Sequence, residues 1–168
     1  MTAAVPALAA LLALAAGSAQ VRLPVPIVEQ APERCGPAAL GMVLRYYGAP
    51  DSALARAAAA YDPVLRGALI TDLARAAEAS GYEARVATAS TDALEAALGT
   101  GTPPIVLYDA GFGPLGRKHF AVVVGWDPER KRFVLHDGRA KPREMKASEF
   151  VSRWTRAGSL ALLVRDRP

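Results

Sequence analysis

The sequence predicts an α+β domain in which N-terminal helices pack on a C-terminal antiparallel sheet. In the N-terminal half, apolar residues recur every three or four positions, which is typical of amphipathic helices. After Pro104 the pattern changes to short apolar runs separated by turns, which is typical of strands. Because helices come first and strands second, the arrangement favours the α+β class. No internal repeat or linker-like stretch is evident, so we expect one domain over residues 20–168.

The first residues form an apolar, alanine-rich run with no charged side chain before Arg22. The run ends in Gly17-Ser18-Ala19, a small-residue pattern of the kind that signal peptidases cleave. We therefore expect a signal peptide over residues 1–19 and a periplasmic or extracellular protein. The alternative is an uncleaved N-terminal anchor, and only in that case is membrane association expected.

The stretch Gln30 to Gly48 reads QAPERCGPAALGMVLRYYG and contains the only cysteine of the chain. Pro37 is tolerated in a first helical turn, and the apolar residues that follow Cys35 recur at helical spacing. Gly48 is a natural end of the helix, since glycine readily adopts the left-handed conformation found there. The pattern therefore places Cys35 at the N-terminal tip of a helix with one buried face.

The remaining elements follow from the same signals. An extended lead-in segment is expected over Val21 to Ile27. Further helices are expected at Ala53 to Ala60, Leu73 to Ser80 (capped by Thr71 or Asp72), Ala93 to Leu98 (with Asp92 and Glu95 as a capping box) and Glu149 to Trp154 (capped by Ser148). Strands are expected at Glu83 to Thr88, Pro104 to Tyr108, Phe120 to Trp126, Arg132 to His136 and Leu160 to Val164.

The predicted position of Cys35 favours a reactive thiol. Free N–H groups and the dipole at a helix start stabilise an anion, so they lower a thiol pKa, and the thiolate is the nucleophilic form. Gln30, five residues upstream, could donate a side-chain N–H to a developing oxyanion near the same tip. The alternative is that Cys35 is an inert core residue. A single cysteine in an exported protein cannot form an internal disulfide, which favours the nucleophile.

A cysteine nucleophile needs a base, and the sequence offers only two histidines. His119 precedes the predicted strand 120–126, and Asp137 follows the predicted return strand. A hairpin folded near Glu129 would bring His119 opposite a residue within about two positions of Asp137. His136 is the competing base, but neighbours on a strand point to opposite faces, so His136 and Asp137 cannot easily serve one site.

Composition excludes several other classes of function. The formal net charge is +4, but the basic residues are scattered and are not interleaved with aromatic residues. We therefore expect no nucleic-acid partner. One cysteine and two histidines cannot form a thiolate-rich zinc site, and no metal or cofactor is implied.

The blocks QAPERCGPAALGMVLRYYG, KHFAVVVGWD and FVLHDG resemble the bacteriocin-processing cysteine peptidases, family thirty-nine of the papain-like cysteine peptidases. The resemblance extends over roughly Val25 to Val164 and implies a papain-like fold. It implies that Cys35 is the nucleophile, His119 the base, Asp137 the orienting acid and Gln30 the oxyanion-hole glutamine. One residue departs from the family pattern, since Gly138 stands where a proline often follows the aspartate.

These observations lead to the hypothesis of an exported cysteine peptidase acting on a peptide or protein substrate. The best-known relatives are fused to transporters and remove double-glycine leader peptides, whereas this chain is more similar to free-standing relatives. Leader cleavage is therefore not expected to carry over. Two alternatives stay open: an inactive peptide-binding module on the same fold, and an acyltransferase or amidase that uses the same thiolate. The sequence does not predict the substrate or the oligomeric state.

Overall fold

The computed structural model describes residues 19–111 and 116–167. The predicted signal peptide therefore lies outside the described residues, apart from Ala19. Within the described ranges the structure has five helices and a seven-stranded antiparallel sheet, so the predicted α+β fold is confirmed. No helix in these ranges is long and apolar enough to cross a membrane.

The strands lie in the order β2-β7-β3-β4-β5-β6, and β1 pairs with the far end of β4. Their bounds are β1 Val21–Arg22, β2 Glu83–Thr88, β3 Ile105–Asp109, β4 Lys118–Asp127, β5 Arg132–His136, β6 Arg143–Lys146 and β7 Leu160–Arg165. The helices are α1 Cys35–Tyr46, α2 Asp51–Ala59, α3 Ile70–Ala79, α4 Thr91–Gly99 and α5 Ala147–Arg156.

Helices cover both faces of the sheet. On one face, α1 buries Leu40 and Val43 and α3 buries Leu73 against alternate residues of the central strands, while α2 packs on α1 and α3. On the other face, α4 and α5 bury Leu94 and Trp154 against the intervening residues. Since successive side chains of a strand point to opposite faces, the continuously apolar β4 supplies both cores. Strand β4 lies between β3 and β5, and His119 is the second residue of β4. His119 therefore lies at one end of the sheet, close to its centre.

Two strand predictions differ from the structure. The lead-in segment pairs only over Val21–Arg22, because Pro24 and Pro26 have no N–H to donate to a ladder. Strand β6 was not predicted, since Met145 is its only apolar residue and one buried side chain gives no detectable alternation. Its extended conformation is instead stabilised by backbone hydrogen bonds to β5.

The predicted helix caps were wrong. Helix α4 begins two residues earlier than expected, and Ser90, not Asp92, accepts a hydrogen bond from the N–H of Ala93 at 3.2 Å. Helices α3 and α5 also begin two or three residues before the expected positions, without a side-chain cap. In each case the polar residue that was expected to cap the helix lies inside its first turn. Its backbone is therefore helical, whereas a capping residue requires an extended backbone.

Candidate active site

The α1 helix begins at Cys35, as the sequence predicts, and its start is packed tightly against the sheet. A Cβ atom added to Gly36 would lie 3.1 Å from Phe120 Cδ2 and 3.1 Å from Ala68 Cβ. Any larger residue after the cysteine would therefore push the helix tip away from β4. Pro37 is buried in the first turn, where its missing N–H leaves no intrahelical bond unmade. This close packing places the thiol beside the first residues of β4.

Cys35 and His119 are joined by a side-chain hydrogen bond. Burial by itself raises the pKa of the Cys35 thiol, but this hydrogen bond and those from the main-chain N–H groups of Phe120 and Gly36 outweigh it. The net result is a Cys35 pKa below the ordinary value of a free thiol. The helix-start amide of Gly36 thus contributes as predicted, while the N–H of Phe120 is a contribution from β4 that the sequence pattern did not show.

His119 also contacts the hairpin formed by β4 and β5. Val122 pairs with His136 across this hairpin, and the same register continued outward sets His119 opposite Arg139, two positions from Asp137. The ring Nε2 of His119 lies 2.8 Å from the main-chain carbonyl oxygen of Asp137. Because a carbonyl oxygen only accepts, Nε2 carries the proton in this contact, which leaves Nδ1 for the thiol.

The protonation of His119 follows from these partners. Burial lowers the pKa of His119, whereas the hydrogen bonds to Cys35 and to the Asp137 carbonyl raise it, and the net direction is upward. A raised imidazole pKa beside a lowered thiol pKa favours a thiolate paired with an imidazolium. This charge distribution is the reactive form of a Cys–His pair.

The side chain of Asp137 has other partners than His119. Its Oδ2 lies 3.3 Å from Arg139 Nε and 3.7 Å from Arg143 Nη1, and the Tyr108 hydroxyl lies 3.5 Å away. The carboxylate side chain is only 3% exposed. In this conformation the Asp137 main chain, rather than its carboxylate, is the group that bonds His119.

Tyr108 was not singled out from the sequence. It is fully buried on β3 directly opposite His119, and the two rings meet edge to face with centroids 5.8 Å apart. Burial and, next, the negative charge of Asp137 raise the pKa of Tyr108 to about 12. The hydroxyl therefore stays protonated near neutral pH and donates to the Asp137 carboxylate. The role of Tyr108 depends on the register between β3 and β4. The sequence of either strand alone does not determine that register.

Gln30 lies on the segment before α1 and reaches the same carbonyl. Its Nε2 donates to the Asp137 main-chain oxygen at 3.2 Å. An amide nitrogen has two N–H groups, so this bond leaves a second donor. Gln30, Cys35 and His119 all line one open cleft of about 870 Å³. The structure therefore brings together all four residues that the sequence predicted.

His136, the competing base, has a different environment. Burial and then the positive charge of Arg22 lower its pKa, and its Nδ1 has no hydrogen-bond partner among the described residues. It is not among the described residues that line the cleft. No group of three or more metal-ligating side chains occurs within the described ranges either.

The cleft has an apolar wall and a charged rim. The apolar side chains include Leu65 and Leu69, each about half exposed. The rim carries Arg117 and Lys118 on the side of His119, and Glu33 on the side of Cys35. The cleft therefore offers both apolar and charged groups to a bound molecule.

Glu33 fixes one side of this cleft. Its carboxylate accepts hydrogen bonds from the Tyr61 hydroxyl at 3.3 Å and from the Arg66 guanidinium. The neighbouring Arg34 guanidinium lies 4.2 Å from the centre of the Tyr61 ring. These contacts tie the 61–67 turn to the segment that carries Cys35. Sequence reasoning missed this group because its members are remote in the chain.

Comparison with known proteins agrees with this geometry. The sequence model of the Peptidase C39 family matches residues 25–168. The chain belongs to the peptidase C39 family. No curated protein matches the chain.

Solved structures of C39 peptidases share the fold. A C39-like peptidase from Bacillus anthracis is 19% identical, with a TM-score of 0.73 over 89% of this chain and 98% of that one. A double-glycine motif protease from an AMS/PCAT transporter, solved in complex with the leader peptide, is 22% identical, with a TM-score of 0.68 over 89% and 99%. The peptidase domain of Streptococcus ComA, a bi-functional ABC transporter, is 24% identical, with a TM-score of 0.66 over 85% and 99%.

Proposed function

We propose that this C39 family member is an active cysteine peptidase that hydrolyses peptide bonds outside the cytoplasm. The observation that carries the proposal is the hydrogen-bonded Cys35–His119 pair at a helix start, with the His119 ring fixed by the Asp137 carbonyl. An inert core cysteine has no need of a histidine partner, a lowered pKa and an open cleft at the same place.

In the proposed reaction the Cys35 thiolate attacks the carbonyl carbon of the scissile peptide bond. The carbonyl oxygen becomes an oxyanion, which the second Gln30 N–H and main-chain amides near the start of α1 would stabilise. His119 Nδ1 then gives its proton to the leaving amine nitrogen, the C–N bond breaks and a thioester with Cys35 remains. Water, deprotonated by His119, attacks the thioester, and the product acid and the free thiolate are released.

Asp137 supports this sequence through two separate groups. Its main-chain carbonyl holds His119 Nε2–H, so Nδ1 keeps facing the sulfur while the ring gains and loses its proton. Its carboxylate adds a nearby negative charge, which favours the imidazolium. We assign Asp137 the orienting role on these two grounds.

The proposed substrate is a peptide or an extended protein segment. One structural relative binds a leader peptide in its crystal structure, and the cleft of this chain is lined by apolar side chains that could contact such a peptide. The N-terminal sequence supports a periplasmic or extracellular location. Because such compartments are oxidising, a single free thiol there is more readily explained by a function than by packing alone.

The test is the rate of Cys35 alkylation by iodoacetamide as a function of pH, in the wild type and in His119→Ala. We expect a wild-type midpoint well below the free-thiol value of about 8.5, and an upward shift in the variant. The same samples are then given a denatured protein substrate, with Cys35→Ala as the control. Hydrolysis by the wild type alone supports the peptidase.

Two outcomes would contradict the proposal. A midpoint near or above the free-thiol value in both proteins would indicate a binding module without catalysis. A lowered midpoint together with transfer of the acyl group to an added amine, and no hydrolysis, would indicate an acyltransferase.

A further inference from the structure

The residue after Asp137 has a backbone conformation that favours glycine. Gly138 has a φ of +85°, in the left-handed region that other L-residues rarely adopt. This conformation is not by itself unusual in the chain, since Gly48 and Gly81 also have positive φ values. At those two positions, however, an added Cβ atom would meet nothing within 4 Å.

Gly138 differs because its Cα packs directly against Gln30. A Cβ atom at Gly138 would lie 2.0 Å from Gln30 Cδ, 2.3 Å from Nε2 and 2.5 Å from Cγ. Real Cβ contacts are never this short, and three consecutive side-chain atoms would have to move. A side chain at position 138 and the present Gln30 conformation therefore exclude each other.

The position of Gln30 has a consequence for the candidate active site. Its Nε2 reaches the Asp137 carbonyl at 3.2 Å, and His119 Nε2 reaches the same oxygen at 2.8 Å. The Asp137–Gly138 peptide is thus a common anchor for the oxyanion-hole donor and for the base. The His119 contact needs only the carbonyl, whereas the Gln30 contact needs the carbonyl and the open space over Gly138.

We infer that Gly138 is a positioning residue for the oxyanion hole, because its missing side chain lets Gln30 bind the Asp137 carbonyl with one N–H and keep the other for the substrate. The inference rests on the proposed function, since it assumes that Gln30 stabilises an oxyanion. The φ of +85° at this position also excludes proline, whose φ is fixed near −65°.

Two reactions of the same thiol separate this role from a general loss of reactivity. Alkylation by iodoacetamide displaces iodide at an sp³ carbon and forms no oxyanion, so it reports only the Cys35–His119 pair. Acylation by p-nitrophenyl acetate passes through a tetrahedral oxyanion and releases p-nitrophenolate, so it also needs the Gln30 donor. The ratio of the two rates measures the oxyanion hole.

The variants are Gly138→Ala, Gln30→Ala and the double variant, with Gly81→Ala as the matched control. Gly81→Ala introduces the same backbone strain, at a φ of +95°, without a steric clash. We expect Gly138→Ala and Gln30→Ala each to slow acylation by roughly tenfold to a hundredfold. Alkylation should change by less than about threefold in both. Gly81→Ala should leave both rates unchanged.

The double variant decides the mechanism. If Gly138 acts through Gln30, Gly138→Ala should have no further effect on acylation once Gln30 is alanine. Additive losses in the double variant, or wild-type acylation in folded Gly138→Ala, would overturn the inference. If Gly138→Ala does not fold, recovery of the fold in the double variant supports the clash, and continued unfolding refutes it.

Failure of the proposed function gives a different result. In that case the wild type itself shows neither a lowered alkylation midpoint nor acylation that depends on His119. If the wild type shows the lowered midpoint and His119-dependent acylation, but Gly138→Ala has the same rates as the wild type, the peptidase proposal stands and the inference falls.

Discussion

His119 and Asp137 meet through a ring nitrogen and a main-chain oxygen, 2.8 Å apart, while the Asp137 carboxylate pairs with two arginines. The two parts of Asp137 therefore have separable effects. A main-chain carbonyl cannot be removed by substitution, whereas the carboxylate can. This separation leads to a prediction about the acid member of the predicted triad.

Asp137→Asn should retain much of the reactivity of Cys35. The carbonyl that fixes the His119 ring remains, and the charge of Asp137 is the last of the contributions that raise the His119 pKa. We expect the alkylation midpoint to shift upward, but by less than in His119→Ala, because losing a nearby negative charge weakens the imidazolium. His119→Ala, in contrast, should give a free-thiol profile. Thermal unfolding controls for the loss of the ion pairs that the buried carboxylate makes with Arg139 and Arg143.

An Asp137→Asn profile that matches His119→Ala would contradict this prediction. It would mean that the carboxylate turns onto His119 in the reactive state, in place of its contacts with Arg139 and Arg143.

Tyr108→Phe should affect stability more than catalysis. The substitution removes the hydroxyl that donates to the Asp137 carboxylate but keeps the ring that packs against His119. We expect a loss of about 0.5–1.5 kcal/mol in the free energy of unfolding, measured by urea denaturation, and an unchanged alkylation midpoint. Tyr47→Phe is the control for losing a tyrosine hydroxyl hydrogen bond away from the cleft, since the Tyr47 hydroxyl donates to the Val164 carbonyl on β7.

Tyr108→Ala should be far more damaging. The ring is fully buried, and large-to-small changes of aromatic core residues cost about 3–5 kcal/mol. A Tyr108→Phe variant that loses Cys35 reactivity at full stability would instead assign the hydroxyl a direct part in the chemistry.

Glu33→Gln should loosen the 61–67 turn beside the cleft. The hydrogen bond from Arg66 lowers the pKa of Glu33, so the carboxylate is charged at neutral pH and attracts the guanidinium. Removing that charge should speed hydrogen exchange of the Asp62 and Gly67 amides, which bond each other's carbonyls, by several-fold. The sign follows from the lowered pKa: acidification through the folded-state value should loosen the wild-type turn in the same way.

Asp72→Asn is the matched control for this experiment. It breaks the Arg75–Asp72 pair, whose side chains are 75% and 31% exposed, the same values as those of Arg66 and Glu33. Unchanged exchange in Glu33→Gln, or equal changes in both variants, would show that the pair does not hold the turn.

Ser90→Ala should destabilise the protein by about 1 kcal/mol, because Ser90 caps α4 through the Ala93 amide. Asp92→Asn should cost less, about 0.3 kcal/mol, since Asp92 lies in the first turn, where a carboxylate is stabilised by the helix dipole. Urea midpoints at a constant m-value measure both changes. The reverse ranking would restore the capping box that the sequence suggested.

The sequence pattern was sufficient for contacts made within one element or one hairpin. The position of Cys35 at a helix start followed from Pro37 and the apolar spacing, and the meeting of His119 with Asp137 followed from the length of one hairpin. Both depend on residues close together in the chain, for which period and turn position are enough.

Other features depended on contacts between distant elements. Tyr108 reaches Asp137 only through the pairing of β3 with β4, and Arg143 reaches it only because β6 pairs with β5. The orientation of the Asp137 side chain could not be predicted from the sequence pattern either. The position of Asp137 after a strand does not determine whether its carbonyl or its carboxylate contacts His119. Rotamer choice depends on the surrounding charges, here two arginines that local periodicity does not locate.

The shared carbonyl of Asp137 also bears on when the thiol becomes reactive. Gln30 and Asp137 are 107 residues apart, and His119 reaches that carbonyl only after the β4–β5 hairpin has closed. A nascent or partly folded chain therefore carries an ordinary, largely protonated cysteine. The lowered pKa of the Cys35 thiol therefore depends on docking of the C-terminal half, which carries His119 and Phe120, onto α1.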